Sequence, residues 1–220
     1  MSVENNQKLE ENVSIKNNQQ PEEIISANQI KNQFKDFIWE TLKVIIISLV
    51  IILPIRYFLI QPFYVKGASM EPNFYEHEYL IIDEISYRLD NPQRGEVIVF
   101  KYPKDPSQYF IKRIIGLPGE TVKLDNGKII IINEDNPNGF FLNEDMYLPQ
   151  THTQGNQQIE LTADEYFILG DNRSSSLDSR VFGPIKRSDI VGRTWVRGWP
   201  FNRITIFEKP VYISDGVNEI

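Results

Sequence analysis

The sequence predicts a mainly β protein, an antiparallel β-sheet body preceded by one N-terminal transmembrane helix. Three observations carry that expectation. A single stretch, Leu42–Ile60, is apolar enough to enter a bilayer. From Tyr64 onward, short β-branched and aromatic runs alternate with turn residues, as strands do. The runs are bounded by turn residues such as Asp90-Asn91-Pro92, Arg94-Gly95 and Asp125-Asn126-Gly127, which suits antiparallel neighbours.

Composition narrows the chemistry. The 220-residue chain carries a formal charge of −7, which argues against nucleic acid as a partner. It has no cysteine, so thiol catalysis, disulfides and cysteine–zinc sites are all excluded. Two histidines, His77 and His152, leave few candidates for histidine-based mechanisms.

In chain order, residues 1–30 are rich in Asn, Gln and Glu and are expected to form a disordered tail. A juxtamembrane segment, 31–41, follows. The 19 residues of Leu42–Ile60 would cover about 28 Å as a helix, close to the roughly 30 Å of bilayer hydrocarbon. Arg56 sits near one end, where its head can reach the interface, and Pro54 can kink the helix. A cleaved signal peptide fits poorly: the run starts late, follows an acidic tail and lacks an Ala-x-Ala-like exit. A buried core helix is the remaining competitor. Lys31, Lys35 and Lys43 precede the run while Arg56 and Lys66 follow it, a slight bias toward a cytoplasmic N-terminus.

A β-rich domain is expected over 61–208. Tyr79–Asp83, Glu96–Phe100 and Tyr109–Ile115 read as strands. Leu117-Pro118-Gly119 suits a type II turn. Thr121–Leu124 and Lys128–Ile132 flank Asp125-Asn126-Gly127, a hairpin signal. Residues 133–160 turn polar and read as an inserted, partly irregular variable region. Glu165–Leu169 resumes a strand and leads into Gly170-Asp171-Asn172-Arg173, and Ile190–Val196 and Arg203–Phe207 close the body. Residues 209–220 form a C-terminal tail.

Three stretches hold chemistry-bearing residues. Ser69, in Gly67-Ala68-Ser69-Met70-Glu71-Pro72, lies nine residues beyond Ile60, so an extended chain tethers it within roughly 30 Å of the bilayer. A serine needs a base to become a nucleophile; alone, it is a solvated turn residue. His77 and His152 sit in polar loops, and the neighbours Glu76, His77 and Glu78 point alternately if extended, which disfavours a metal site. Lys112 is the more informative residue. Strand alternation places it on one face with Phe110 and Ile114, with Arg113 facing away. Burial disfavours a charged amine; lowering a lysine pKa from about 10.4 to near 7 takes roughly 4–5 kcal/mol, within reach of full burial. The competing reading is a lysine that snorkels to water. In Gly170–Arg180, Asp178 can pair with Arg180 or Arg113, and a hydroxyl can orient an amine; unassisted, the stretch is a polar turn.

Together these stretches resemble the type I signal peptidase family, membrane-bound serine proteases with a Ser-Lys dyad. The matching segments are Gly67–Pro72, Arg94–Phe100, Lys112–Glu120 and Gly170–Arg180, in the family's order, and the likeness covers roughly residues 55–205. The single span resembles the bacterial, cyanobacterial or plastid branches with one anchor. The resemblance implies Ser69 as nucleophile and Lys112 as general base. It implies Ser176 as the residue that hydrogen-bonds the lysine, and Asp178 and Arg180 as an ion pair holding the active-site loops, with Arg113 nearby. The Ser69 backbone N–H would be one oxyanion donor; some members place a serine two residues before the nucleophile as the second, and here Gly67 stands there. Phe63, Val65, Met70, Phe74, Phe110 and Ile111 match positions lining shallow substrate pockets that take small side chains.

The resemblance further implies signal peptides of exported preproteins as substrates, the lipid bilayer as a partner, no cofactor, no metal, no nucleic acid and a monomer. The N-terminus would be cytoplasmic and the catalytic domain extracytoplasmic, on a cell or thylakoid membrane. Two rivals stand beside it. A self-cleaving Ser-Lys peptidase of the repressor type would carry a DNA-binding motif where this chain has a tail and a span. A membrane-anchored β domain that binds a partner without catalysis would use the serine and lysine structurally.

Overall fold

The computed structural model describes residues 22–54 and 61–208, which fall into two units divided after Pro54. The first is one helix, α1 (Glu22–Pro54). Between Pro21 and Pro54 the sequence holds neither glycine nor proline, so nothing interrupts helix propagation. Residues 22–30, expected in the disordered tail, are therefore helical; residues 1–21 and 209–220 lie outside the described residues. Among the described residues no helix is long and apolar enough to cross a membrane. The last part of the expected span, 55–60, also lies outside them.

The second unit is built from antiparallel strands, as the sequence predicts. In chain order they are β1 (Gln61–Tyr64), β2 (Tyr79–Asp83), β3 (Val97–Tyr102), β4 (Asp105–Gly116), β5 (Thr121–Asp125) and β6 (Lys128–Ile132). β7 (Phe140–Phe141), β8 (Gln157–Glu160), β9 (Glu165–Leu169), β10 (Ile185–Lys186), β11 (Ile190–Trp199) and β12 (Thr205–Ile206) follow. The larger sheet runs β1-β2-β11-β3-β4-β9-β10, with β12 against β11; the smaller runs β7-β6-β5-β8. The β5–β6 hairpin closes through Asn126 (φ 47°) and Gly127 (φ 82°), the two positive φ values a type I′ turn requires. Where an irregular excursion was expected over 133–160, β7 and β8 instead supply the outer strands of the small sheet. Gln157–Glu160 is only half buried, so its polar sequence still suits an outer strand.

Alternation along the central strands feeds separate apolar cores. Ile115, Phe167 and Leu169 pack with Val122, Leu124, Ile129 and Ile131 of the small sheet. Ile114 and Ile168, one residue out of phase, pack with Ile98 and Phe100. Val97 and Val99 pack with Val65, Met70, Phe74, Leu80 and Ile82. Lys112 and Arg113 are thus side by side on a strand buried on both faces, where a polar group must find a partner or a function.

Candidate active site

Three chain stretches meet around Lys112. Register places Lys112 opposite Ile98 on β3 and Arg113 opposite both Val97 and Leu169, so β9 delivers the chain to Gly170 beside the lysine. Ser69 lies in the turn after β1, which the loop after β9 grips. The Asn172 N–H donates to the Ser69 carbonyl at 3.1 Å, and Asn172 Nδ2 donates to the Ala68 carbonyl at 3.1 Å. Gly170 permits this approach, because a Cβ there would collide with Ser176 Oγ and the Ser69 carbonyl.

Lys112 Nζ lies 2.7 Å from Ser69 Oγ and donates to the Ile111 carbonyl at 2.7 Å. Lys112 is only 3% exposed. Burial lowers its pKa from the ordinary 10.5 to about 8, against the opposing pull of Asp178 and Asp171, which favour the charged form. The amine is thus substantially neutral at mildly alkaline pH, and within hydrogen-bond reach of a hydroxyl it can deprotonate.

Around this pair are two buried ion pairs. Arg180 forks onto Asp178 at 2.9 and 2.8 Å, and Asp178 also accepts from the Gly170 N–H at 3.1 Å. Arg113 forks onto Asp171 at 2.8 and 2.6 Å and donates to the Gly95 carbonyl at 2.8 Å. Of the two partners the sequence allows Asp178, the structure shows Arg180; Arg113 goes instead to Asp171, to which the sequence assigns no role. The expected Ser176–Lys112 hydrogen bond is not made: Ser176 Oγ is buried without a partner, and the lysine uses the Ile111 carbonyl and Ser69 Oγ. Gly67 (φ 81°) directs its N–H to Glu76 Oε1 at 3.2 Å, so that amide is already engaged. The histidines are elsewhere engaged, His77 with the Tyr64 hydroxyl and His152 over the Gly127 turn.

A cleft of about 230 Å³ opens onto Ser69 and Lys112. Of the residues expected in its walls, Phe63, Val65, Phe110 and Ile111 line it. Met70 and Phe74 do not: each is 1% exposed, packed in the core with Leu80 and Val97. The resemblance placed them in the pocket walls, but here the turn after β1 buries them, with Met70 Sδ accepting from the Asp171 N–H at 3.4 Å. Leu177 and Tyr109, not singled out from the sequence, also line the cleft. The signal for Leu177 was present, a lone apolar residue in an otherwise polar loop. Among the described residues no group of three or more His, Asp or Glu side chains is placed to hold a metal ion.

A serine hydroxyl beside a buried amine, at the head of an apolar cleft, is equipment for acyl transfer without a histidine. The family described as signal peptidase, peptidase S26, matches residues 38–199. Signal peptidase I of Leptolyngbya laminosa is 39% identical over 174 residues, covering 75% of this chain and 81% of the relative. A protein named probable signal peptidase I-2 from Synechocystis is 36% identical over 168 residues, 74% of this chain and 73% of the relative. A solved signal peptidase I from Enterococcus faecalis aligns at 33% identity, covering 47% of this chain and 97% of its own, with a TM-score of 0.40. The chain belongs to the signal peptidase family, peptidase S26, and is a serine endopeptidase.

Proposed function

We propose that this endopeptidase removes signal peptides from exported preproteins through an acyl-enzyme on Ser69, with Lys112 as the general base. The observation that carries this reading is the 2.7 Å separation between Lys112 Nζ and Ser69 Oγ, made by an amine whose pKa burial lowers to about 8. Neutral Lys112 accepts the Ser69 proton as Oγ attacks the scissile carbonyl. The resulting ammonium returns the proton to the leaving amine, and the C–N bond breaks. A water then loses its proton to Lys112, attacks the ester and releases the new carboxyl terminus, restoring the serine. Phe63, Val65, Phe110, Ile111, Tyr109 and Leu177 offer a narrow apolar wall to the residues before the cut. Asp178–Arg180 and Arg113–Asp171 hold the surrounding loops.

In the same reading Leu42–Ile60 spans the bilayer, with the N-terminus cytoplasmic and the β body on the far side. Substrate signal peptide and enzyme then share one membrane, which raises their effective concentration. The proposal is tested by cleavage of a preprotein in detergent, alongside labelling with a serine-directed acylating probe. Ser69→Ala is expected to lose at least about 10⁴-fold in rate and all labelling. Wild-type cleavage by that variant would remove Ser69 from the mechanism.

A further inference from the structure

The segment from Leu142 to Gln154 leaves the small sheet and touches each of the three stretches that build the Ser69–Lys112 site. Arg173, whose side chain is 3% exposed, forks onto Glu144 at 2.6 Å for both bonds. The same guanidinium donates to Thr153 Oγ1 and, through Nε, to the Gly170 carbonyl at 3.0 Å. One cation therefore ties two points of the segment to the residue at which the catalytic loop leaves β9. At the loop's other end, Arg180 Nη1 donates to the Gln154 carbonyl at 3.4 Å.

Tyr147 makes the central contact. Its ring lies 3.9 Å from the Arg113 guanidinium, next in sequence to Lys112. Its carbonyl accepts from Asn73 Nδ2 at 3.0 Å, four residues beyond Ser69, and that same amide donates to Asp171 Oδ2 at 2.8 Å. Its hydroxyl donates to Glu144 Oε1 at 2.7 Å, joining the two anchors. Nucleophile turn, base strand and catalytic loop thus share one neighbour, although none of its residues lines the cleft.

We propose that Leu142–Gln154 is a brace that sets the reach between Ser69 Oγ and Lys112 Nζ, with Tyr147 and Glu144 as positioning residues. This rests on the Ser69–Lys112 reading above. A misplacement of about 1 Å in reacting groups can cost about 10²-fold in rate while leaving substrate binding intact. The brace therefore acts on kcat, whereas packing alone acts on the amount of folded enzyme.

The test uses the full chain in detergent, with active sites counted by the acylating probe so that unfolded protein drops out. Tyr147→Leu removes the ring from Arg113 and is expected to lower kcat per titrated site by about 10- to 100-fold, with KM within about twofold. Tyr147→Phe keeps the ring and is expected to restore kcat to within about threefold of wild type. Glu144→Gln keeps shape but leaves Arg173 without its charged partner, and is expected to lower kcat by about tenfold or more. It decides the matter if Tyr147→Leu yields no titratable sites. Wild-type kcat per site in both Tyr147→Leu and Glu144→Gln, whatever their melting temperatures, overturns the brace. A Tyr147→Phe enzyme as slow as Tyr147→Leu overturns the role given to the ring. If Ser69→Ala is inert while these variants run at full speed, only the brace falls; an active Ser69→Ala enzyme removes the reading beneath it.

Discussion

Replacing Lys112 with methionine is expected to lower preprotein cleavage by at least about 10⁴-fold while making the fold more stable at pH 7. The two effects share one cause. Burial lowers the lysine pKa from 10.5 to about 8, so near neutrality the folded state must either hold a desolvated charge or give up a proton. A drop of this size corresponds to roughly 3 kcal/mol of lost stability. Because the folded value lies below the ordinary one, that cost is fully present below about pH 8 and fades as pH rises toward 10.5. Methionine fills similar space without a charge, so urea midpoints at pH 7 are expected to rise, and the difference to vanish near pH 11. Lys112→Arg is expected to be as inactive as methionine, since a guanidinium offers no base, and to be less stable than wild type. An inactive methionine variant with wild-type stability at all pH values would mean the amine is better solvated than its 3% exposure indicates.

Breaking the Arg113–Asp171 pair from one side is expected to destabilise the β body by about 3–5 kcal/mol. Arg113→Met leaves Asp171, whose side chain is 0% exposed, without its forked cation. The carboxylate then keeps only the Asn73 amide among the hydrogen bonds made to its side chain here, far less than a buried charge requires. Arg113→Met/Asp171→Leu removes both charges and is expected to recover much of the lost stability. Its activity is not expected to return, because Asn73 loses the Asp171 contact and the guanidinium under Tyr147 is gone. Chemical denaturation of the single and double variants separates the two effects; a single variant as stable as the double would show that Asp171 finds another partner.

Where sequence and structure agree, the local signal was also the global one. β2, β6 and β9 begin and end where β-branched runs meet turn residues, and Asn126-Gly127 can hardly form anything but a tight hairpin turn. Ser69 and Lys112 were legible for a different reason. The likeness of four segments brought together residues 43 positions apart, where alternation alone left Lys112 either buried or snorkelling. Side-chain direction at the turn was not legible. Met70 and Phe74 match pocket positions by resemblance, but a turn has no fixed period from which to read which side chains go inward, and here both go into the core. Arg113 had two carboxylates within reach in one loop, and only the β4–β9 register brings Asp171 to it. β8 escaped notice because an outer strand tolerates the polar residues that mark loops, and β7 because Phe140–Phe141 is too short to show any alternation. The brace was invisible because its anchors, Glu144 and Tyr147, sit in what reads as a polar excursion.

The most direct test is the pH dependence of Ser69 acylation, followed with the serine-directed probe in detergent from pH 5 to 11. The rate is expected to rise with pH through a single midpoint near 8, where Lys112 loses its proton, and this rise is expected to be absent in Lys112→Arg. A rate flat across that range, or one that climbs only near 10.5 as a solvated lysine would, contradicts a buried amine acting as the base.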